Sequence, residues 1–289
     1  MTHDLRRSAN VLSIQSEVVF GHVGNSAARF ALQRLGHEAW CIPTVLLSSH
    51  AGYKGFGGEA TGLPLLYKLL DALEAQGRLA ACDGVISGYL GSPEQAAFVA
   101  DAVRRTKTAN PAVLYCLDPA FGDDGRIYAR PGVPEAMAAT LLPLADIVTP
   151  NAFELSVLAN RAVKDAADAQ AAAASLDRPT VVAKSVPLSG RLGTMVLENG
   201  ESWLASTRII ANPPRGAGDL FASLFFGQRL RGHGSTGALD LAARATYQVL
   251  ERSAGELEMR LIAEQAALPA PPLLAGYELE PETRWRAHG

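Results

Sequence analysis

The sequence predicts an α/β fold whose central sheet is mostly parallel and turns antiparallel late in the chain. Three observations carry that expectation. From residue 11 to residue 148, short apolar runs alternate with segments of helical spacing, the pattern of repeated strand–helix units. Glu198-Asn199-Gly200 then separates two further apolar runs, and Asn-Gly is a strong hairpin signal. Last, Pro213-Pro214-Arg215-Gly216-Ala217-Gly218-Asp219 leads straight into Leu220-Phe221-Ala222-Ser223-Leu224-Phe225-Phe226, a glycine turn opening a buried helix.

Composition narrows the class. The 289 residues, 48% hydrophobic and 19% charged, describe a globular chain able to bury a sizeable core. A net charge of -3 leaves no electrostatic footprint for nucleic acid. No apolar run approaches the roughly 20 residues of a membrane helix. The opening Met1-Thr2-His3-Asp4-Leu5-Arg6-Arg7-Ser8 is not followed by a signal-peptide hydrophobic region. Cys41, Cys82 and Cys116 are far apart without metal spacing, so reduced core thiols and a cytoplasmic location are expected. Residues 1–268 are expected to form a single domain, with 269–289 a proline-rich tail laid over the surface or disordered.

Residues 11–16 read as the first strand, and Ser16 at its polar end is either a substrate contact or a plain strand-end serine. Gly21-His22-Val23-Gly24-Asn25 leads into a helix over 26–35, but the glycines do not match G-x-G-x-x-G. A second strand covers 39–47. The loop 48–58 that follows holds four glycines, and its His50 is a ligand, a base or a hydrogen-bonding loop residue. A helix spans 63–76. A strand then runs into Gly88-Tyr89-Leu90-Gly91, where a tyrosine flanked by glycines can lie face-on to a ring. Ser92-Pro93-Glu94 opens a helix with serine at the cap and proline at the first position.

Strands at 113–117 and 145–148 end in Asp118 and in Thr149-Pro150-Asn151, with Glu154 on the first turn of the next helix. A carboxylate at a buried strand's end is costly unless something binds it. Asp118 and Glu154 close consecutive strand–helix units and so converge at one edge of the sheet. Such a pair suits Mg²⁺, although Glu154 also reads as a capping acid. A strand over 180–185 places Lys184 at its end, solvated or paired with phosphate. The N–H groups of the turn at Gly216 suit an anion. Asp219 beside them is an ordinary cap, or the base that takes a proton from an attacking hydroxyl. Helices are expected at 237–253 and 256–267.

Taken together, Ile14-Gln15-Ser16, Gly21-His22-Val23-Gly24-Asn25-Ser26-Ala27, Ser87-Gly88-Tyr89-Leu90-Gly91-Ser92, Leu117-Asp118-Pro119, Pro150-Asn151 with Glu154-Leu155, and Gly216-Ala217-Gly218-Asp219 resemble the ribokinase-like superfamily. The two N-terminal pieces and the tyrosine segment bring the resemblance closer to the pyridoxal kinases. It spans about 11–268. It implies a three-layer α/β/α sandwich and an ATP-dependent kinase acting on a hydroxymethyl group of a pyridine ring.

By that resemblance Asp219 is the general base and Gly216, Ala217 and Gly218 form the anion hole. Asp118 and Glu154 hold Mg²⁺, mostly through water. Lys184 lies near the nucleotide phosphates, and Thr207 and Ile209 belong to the segment lining the adenine site. Ser16, Val19 and Tyr89 bind the pyridine substrate. The implied cofactors are ATP, Mg²⁺ and a monovalent cation such as K⁺, and the implied assembly is a homodimer. A kinase for another hydroxymethyl heteroaromatic or a sugar is the alternative, as is a non-catalytic binder of a B6 vitamer or nucleotide. One departure stands out. Where these kinases often carry His-Thr-Gln-Tyr, this chain has His50-Ala51-Gly52-Tyr53, without two polar side chains that would read ring substituents.

Overall fold

The computed structural model describes residues 8–282. The strands are β1 (Asn10–Val18), β2 (Glu38–Leu47), β3 (Gly58–Ala60), β4 (Gly84–Ser87), β5 (Leu114–Leu117), β6 (Gly122–Asp123), β7 (Arg126–Ile127), β8 (Ile147–Val148), β9 (Thr180–Leu188), β10 (Arg191–Glu198), β11 (Glu201–Arg208) and β12 (Glu278–Glu282). The α-helices are α1 (Asn25–Arg34), α2 (Leu63–Ala75), α3 (Glu94–Ala109), α4 (Val133–Ala136), α5 (Ala152–Leu158), α6 (Ala166–Ser175), α7 (Ala217–Leu230) and α8 (Ser235–Arg252).

Ten of these strands form one sheet in the order β12-β11-β10-β9-β8-β5-β4-β1-β2-β3. The run from β9 to β2 is parallel, and β3, β10, β11 and β12 pair antiparallel. Side chains alternate across it as a pleated strand requires. Val11, Ile86, Cys116 and Val182 join the core under α1, α7 and α8. Leu12, Val85, Tyr115 and Leu117 join the core on the α2–α3 side, and Val181 and Met195 join a third cluster with α6. The expected helix–sheet–helix layering follows from this alternation. α7 carries Leu220, Phe221, Leu224, Phe225 and Phe226 fully inside. Burying each such side chain contributes about 1.5–3 kcal/mol, which fixes the helix start rigidly against the sheet.

Four expectations need correction. The helix after Tyr89 starts at Glu94 with Pro93 in the cap position and no side-chain cap, one residue later than the Ser92 cap expected. Residues 256–267 are not a helix beyond a short 3-10 turn at Gln265–Ala267. The backbone there is diverted by Ser253, whose hydroxyl accepts the Arg260 N–H, while Met259 and Leu261 anchor in the core. Part of the tail is a strand: β12 pairs along β11 from Ser206 to Ser202. Arg244 on α8 holds it by donating to the Pro271 and Pro272 carbonyls. Lys184 is not at a strand's end. β9 continues to Leu188 through a register shift against β10, with Ser185 at φ 54. Residues 283–289 of the tail, and 1–7, lie outside the described residues.

Candidate active site

The ends of β5 and β8, neighbours in the sheet, bring Asp118 and Glu154 to one edge. Both are buried, 2% and 1% exposed. Asp118 Oδ1 accepts from Thr149 Oγ1 at 2.8 Å and from Lys184 Nζ at 2.6 Å. Among the described residues nothing donates to its Oδ2. Glu154 accepts from the amides of Phe121 (3.1 Å) and Gly122 (3.4 Å) through Oε1 and of Asn151 (2.8 Å) through Oε2. It is therefore both the capping acid of α5, in a reciprocal box with Asn151, and a buried site acid. Burial pushes its pKa up; Lys184 opposes this and the Asp118 charge adds to it. For Lys184, burial alone would lower the pKa, but Asp118 and then Glu154 outweigh it, so the ammonium stays charged.

Gly216 adopts the left-handed conformation (φ 93), and a Cβ there would sit 1.9 Å from the His22 carbonyl oxygen. Only glycine fits that approach. The turn delivers the amides of Ala217, Gly218 and Asp219 without intrahelical acceptors at the start of α7. Lys184 Nζ lies 3.3 Å from where a Cβ on Gly218 would be. So the turn, Lys184 and Asp118 share one recess. Asp219 is partly exposed at its rim. Its pKa is raised to about 6 by burial and then by the Asp118 charge, against the Gly24 amide and Lys184.

Gly24 closes the other wall. A Cβ there would lie 2.2 Å from Ser16 Oγ, so β1 and the start of α1 meet backbone to side chain. Asn25 fixes that contact by donating to the Gln15 and Ile42 carbonyls and accepting from Ser13. Ser16 is thus buried beside the loop whose amide reaches Asp219. Val19, just past β1, is 81% exposed, leaving an apolar side chain uncovered near the site. Tyr89 is half-buried and stacks on Tyr128, ring centroids 6.3 Å apart. Thr207 lies near the end of β11 and Ile209 just past it, largely exposed.

Three site residues escape the sequence reading. Tyr128 follows the small β6–β7 hairpin; its pKa is pushed well up, first by burial and then by Glu154, Asp219 and Asp118. Its phenol thus feels the charge of all three acids, although the residue as a whole is 47% exposed. Thr149 and the Gly24 amide are the others, and both lie inside motifs already noted. His50 serves its own loop, with Nδ1 accepting the Gly52 N–H at 3.0 Å.

Among the described residues no three His, Cys, Asp or Glu side chains cluster as a metal cage. The donor set fits Mg²⁺ nevertheless, since that ion keeps several waters and takes one or two carboxylates with phosphate oxygens. The Oδ2 of Asp118 is open to a ligand, and Glu154, with both oxygens on amides, would act through water.

A family model described as phosphomethylpyrimidine kinase matches residues 70–260. The pyridoxal kinase PdxY of Deinococcus radiodurans is 42% identical over 279 residues, covering 91% of this chain and 93% of that protein. The PdxY protein of Rubrobacter xylanophilus is 41% identical, covering 91% and 95%. Among solved structures, a Leishmania donovani pyridoxal kinase in complex with ADP and pyridoxamine superposes with a TM-score of 0.89. It is 29% identical and covers 95% of this chain and 100% of that one.

Proposed function

Because the chain belongs to the pyridoxal kinases, of ribokinase-like fold, we propose that it transfers the terminal phosphoryl group of ATP to the 5'-hydroxymethyl group of pyridoxal, a vitamin B6 salvage reaction. The observation that carries this is Asp219, whose carboxyl sits at the start of α7 beside free amides, in reach of the Gly24 amide and the Lys184 charge. Asp219 accepts the proton of the attacking hydroxyl as its oxygen bonds to phosphorus and the bond to ADP breaks. The amides of the 216–218 turn and Lys184 balance negative charge on the transferring group. Asp118 and Glu154 hold Mg²⁺, which neutralises phosphate charge when bound. Ser16, Val19 and Tyr89 contact the pyridine ring, and Thr207 and Ile209 line the adenine site.

The protein acts as one kinase domain, in the cytoplasm. Its three free thiols support that location. Among the described residues no helix is long and apolar enough to cross a membrane. It pairs as a homodimer, for which the exposed apolar side chains of Leu46, Phe56, Leu65 and Leu69 around the β3 edge are the supporting feature.

The experiment is an ADP-release screen with pyridoxal, pyridoxine, pyridoxamine and hydroxymethylpyrimidine. Pyridoxal is expected to give the highest kcat/KM; a higher value for hydroxymethylpyrimidine would favour the second reading, which the family-model match supports. The Ala51-Gly52 pair bears on this. Ala51→Thr is expected to raise kcat/KM for pyridoxal about tenfold by pairing a ring substituent. The companion Gly52→Gln is a poor test, since a Cβ at Gly52 would meet His50 Nδ1 at 2.9 Å.

The pH profile carries a further expectation. Asp219 works ionised, and its pKa is raised to about 6. The kcat/KM for acceptor should therefore fall with unit slope as pH drops below that value. A flat profile down to pH 5 would remove Asp219 as the base.

A further inference from the structure

Glu258 lies in the irregular stretch after α8, yet its carboxylate touches two loops distant from it in sequence. Its Oε1 accepts from the Tyr53 hydroxyl at 2.7 Å, and that hydroxyl also lies 2.8 Å from the Leu257 carbonyl. Its Oε2 accepts the His22 N–H at 3.1 Å. The fit at Gly21 is so close that a Cβ there would be 2.6 Å from Glu258 Oε1. The next residue, Met259, is buried and presses on Gly216, with its Cε 2.9 Å from where a Cβ on Gly216 would be. One carboxylate thus ties the loop 48–57 to the β1–α1 loop, and its neighbour packs on the turn that begins the anion hole.

Tyr53 sits in a loop held otherwise by few bonds: the Phe20 N–H to the Ser48 carbonyl at its base, Ser48 N–H to the Gly57 carbonyl, Gly57 N–H to Ser48 Oγ, and local bonds at His50 and Tyr53. The Tyr53 phenol is pushed up to about 12 by burial and by Glu258, so it remains a donor throughout the working pH range. A hydroxyl donating to a carboxylate is among the stronger neutral–ion hydrogen bonds.

We infer that Glu258 and Tyr53 are positioning residues that latch the loop 48–57 over the acceptor site and set it against the wall formed by residues 21–24. The inference rests on the kinase reading above and deepens it: the latch serves the acceptor, not the nucleotide. The loop then delivers residues 50–53 to the ring-binding side, because Glu258 ties it to His22 while Met259 packs on the Gly216 turn.

The test uses Tyr53→Phe and Glu258→Gln in the full chain, with two readouts. The first is steady-state kinetics with Mg-ATP and pyridoxal. The acceptor KM is expected to rise about fivefold or more in each variant, the gap a lost charge-assisted bond opens, with the ATP KM unchanged. The second is limited trypsin digestion without ligands, scored by mass spectrometry at Lys54, which is exposed in the same loop. Cleavage there should accelerate by a similar factor, because opening sets the rate. Wild-type acceptor KM in both variants overturns the inference, as does an ATP KM that rises in parallel. Faster cleavage with an unmoved acceptor KM overturns it too. If the wild-type protein itself releases no ADP, the kinase reading fails, and the latch stands or falls on Lys54 cleavage alone.

Discussion

Asp219→Asn is expected to lower turnover by about two to four orders of magnitude while nucleotide affinity stays close to wild type. Asparagine keeps the shape and the contact with the Gly24 amide but has no lone pair basic enough to take the proton of a hydroxyl. The same substitution should not weaken the fold. Burial raises the pKa of folded Asp219 to about 6, above the ordinary carboxylate value of the unfolded chain. The folded state therefore holds a proton that the unfolded chain releases between those values. Stability is lost as pH rises through that window, and the loss persists above it. The amide escapes this loss, so the variant should melt no lower than wild type at pH 7, and at a higher temperature if burial dominates. Loss of turnover with a lower melting point would point to a structural defect instead.

Lys184→Met should produce the largest loss of stability among the site variants. Lys184 and Asp118 are 2.6 Å apart and both buried, so removing the ammonium leaves a carboxylate inside the protein with only the Thr149 hydroxyl on it. Breaking such a pair from one side costs about 3–5 kcal/mol. Urea unfolding without nucleotide or metal reads this directly. The double variant Asp118→Asn with Lys184→Met removes both charges and should recover most of the stability, because the cost lies in the orphaned partner. Activity should not return, since the charge facing the Gly216 turn is gone. A single variant as stable as wild type would contradict the buried-pair account.

The legibility of the chain follows from how local each signal is. Asp118 and Glu154 were readable because strand and helix periodicities flank them, and parallel units place such ends at one edge. The Gly216 turn was readable because two prolines and two glycines bracket it before an apolar helix. The position of Lys184 inside β9 was hidden by the bulge at Ser185, a backbone feature without a sequence mark. Tyr128 sits after a hairpin of two-residue strands, below the length at which alternation can be detected. Glu258 falls within the helix that the periodicity predicts over 256–267, which does not form because Ser253, Met259 and Leu261 draw the backbone elsewhere. The tail's β12 could not be foreseen, because its ladder partner lies far back in sequence and Pro281 argues against a strand, tolerable only at a sheet edge.

The most direct measurement is product stoichiometry when Mg-ATP and pyridoxal are mixed with wild-type protein and with Asp219→Asn. Wild type should form ADP and phosphorylated pyridoxal in equal amounts, and the variant should bind ATP yet form neither at a comparable rate. ADP appearing without a phosphorylated acceptor, or a variant that keeps pace with wild type, would contradict the assignment of Asp219 as the group that activates the acceptor hydroxyl.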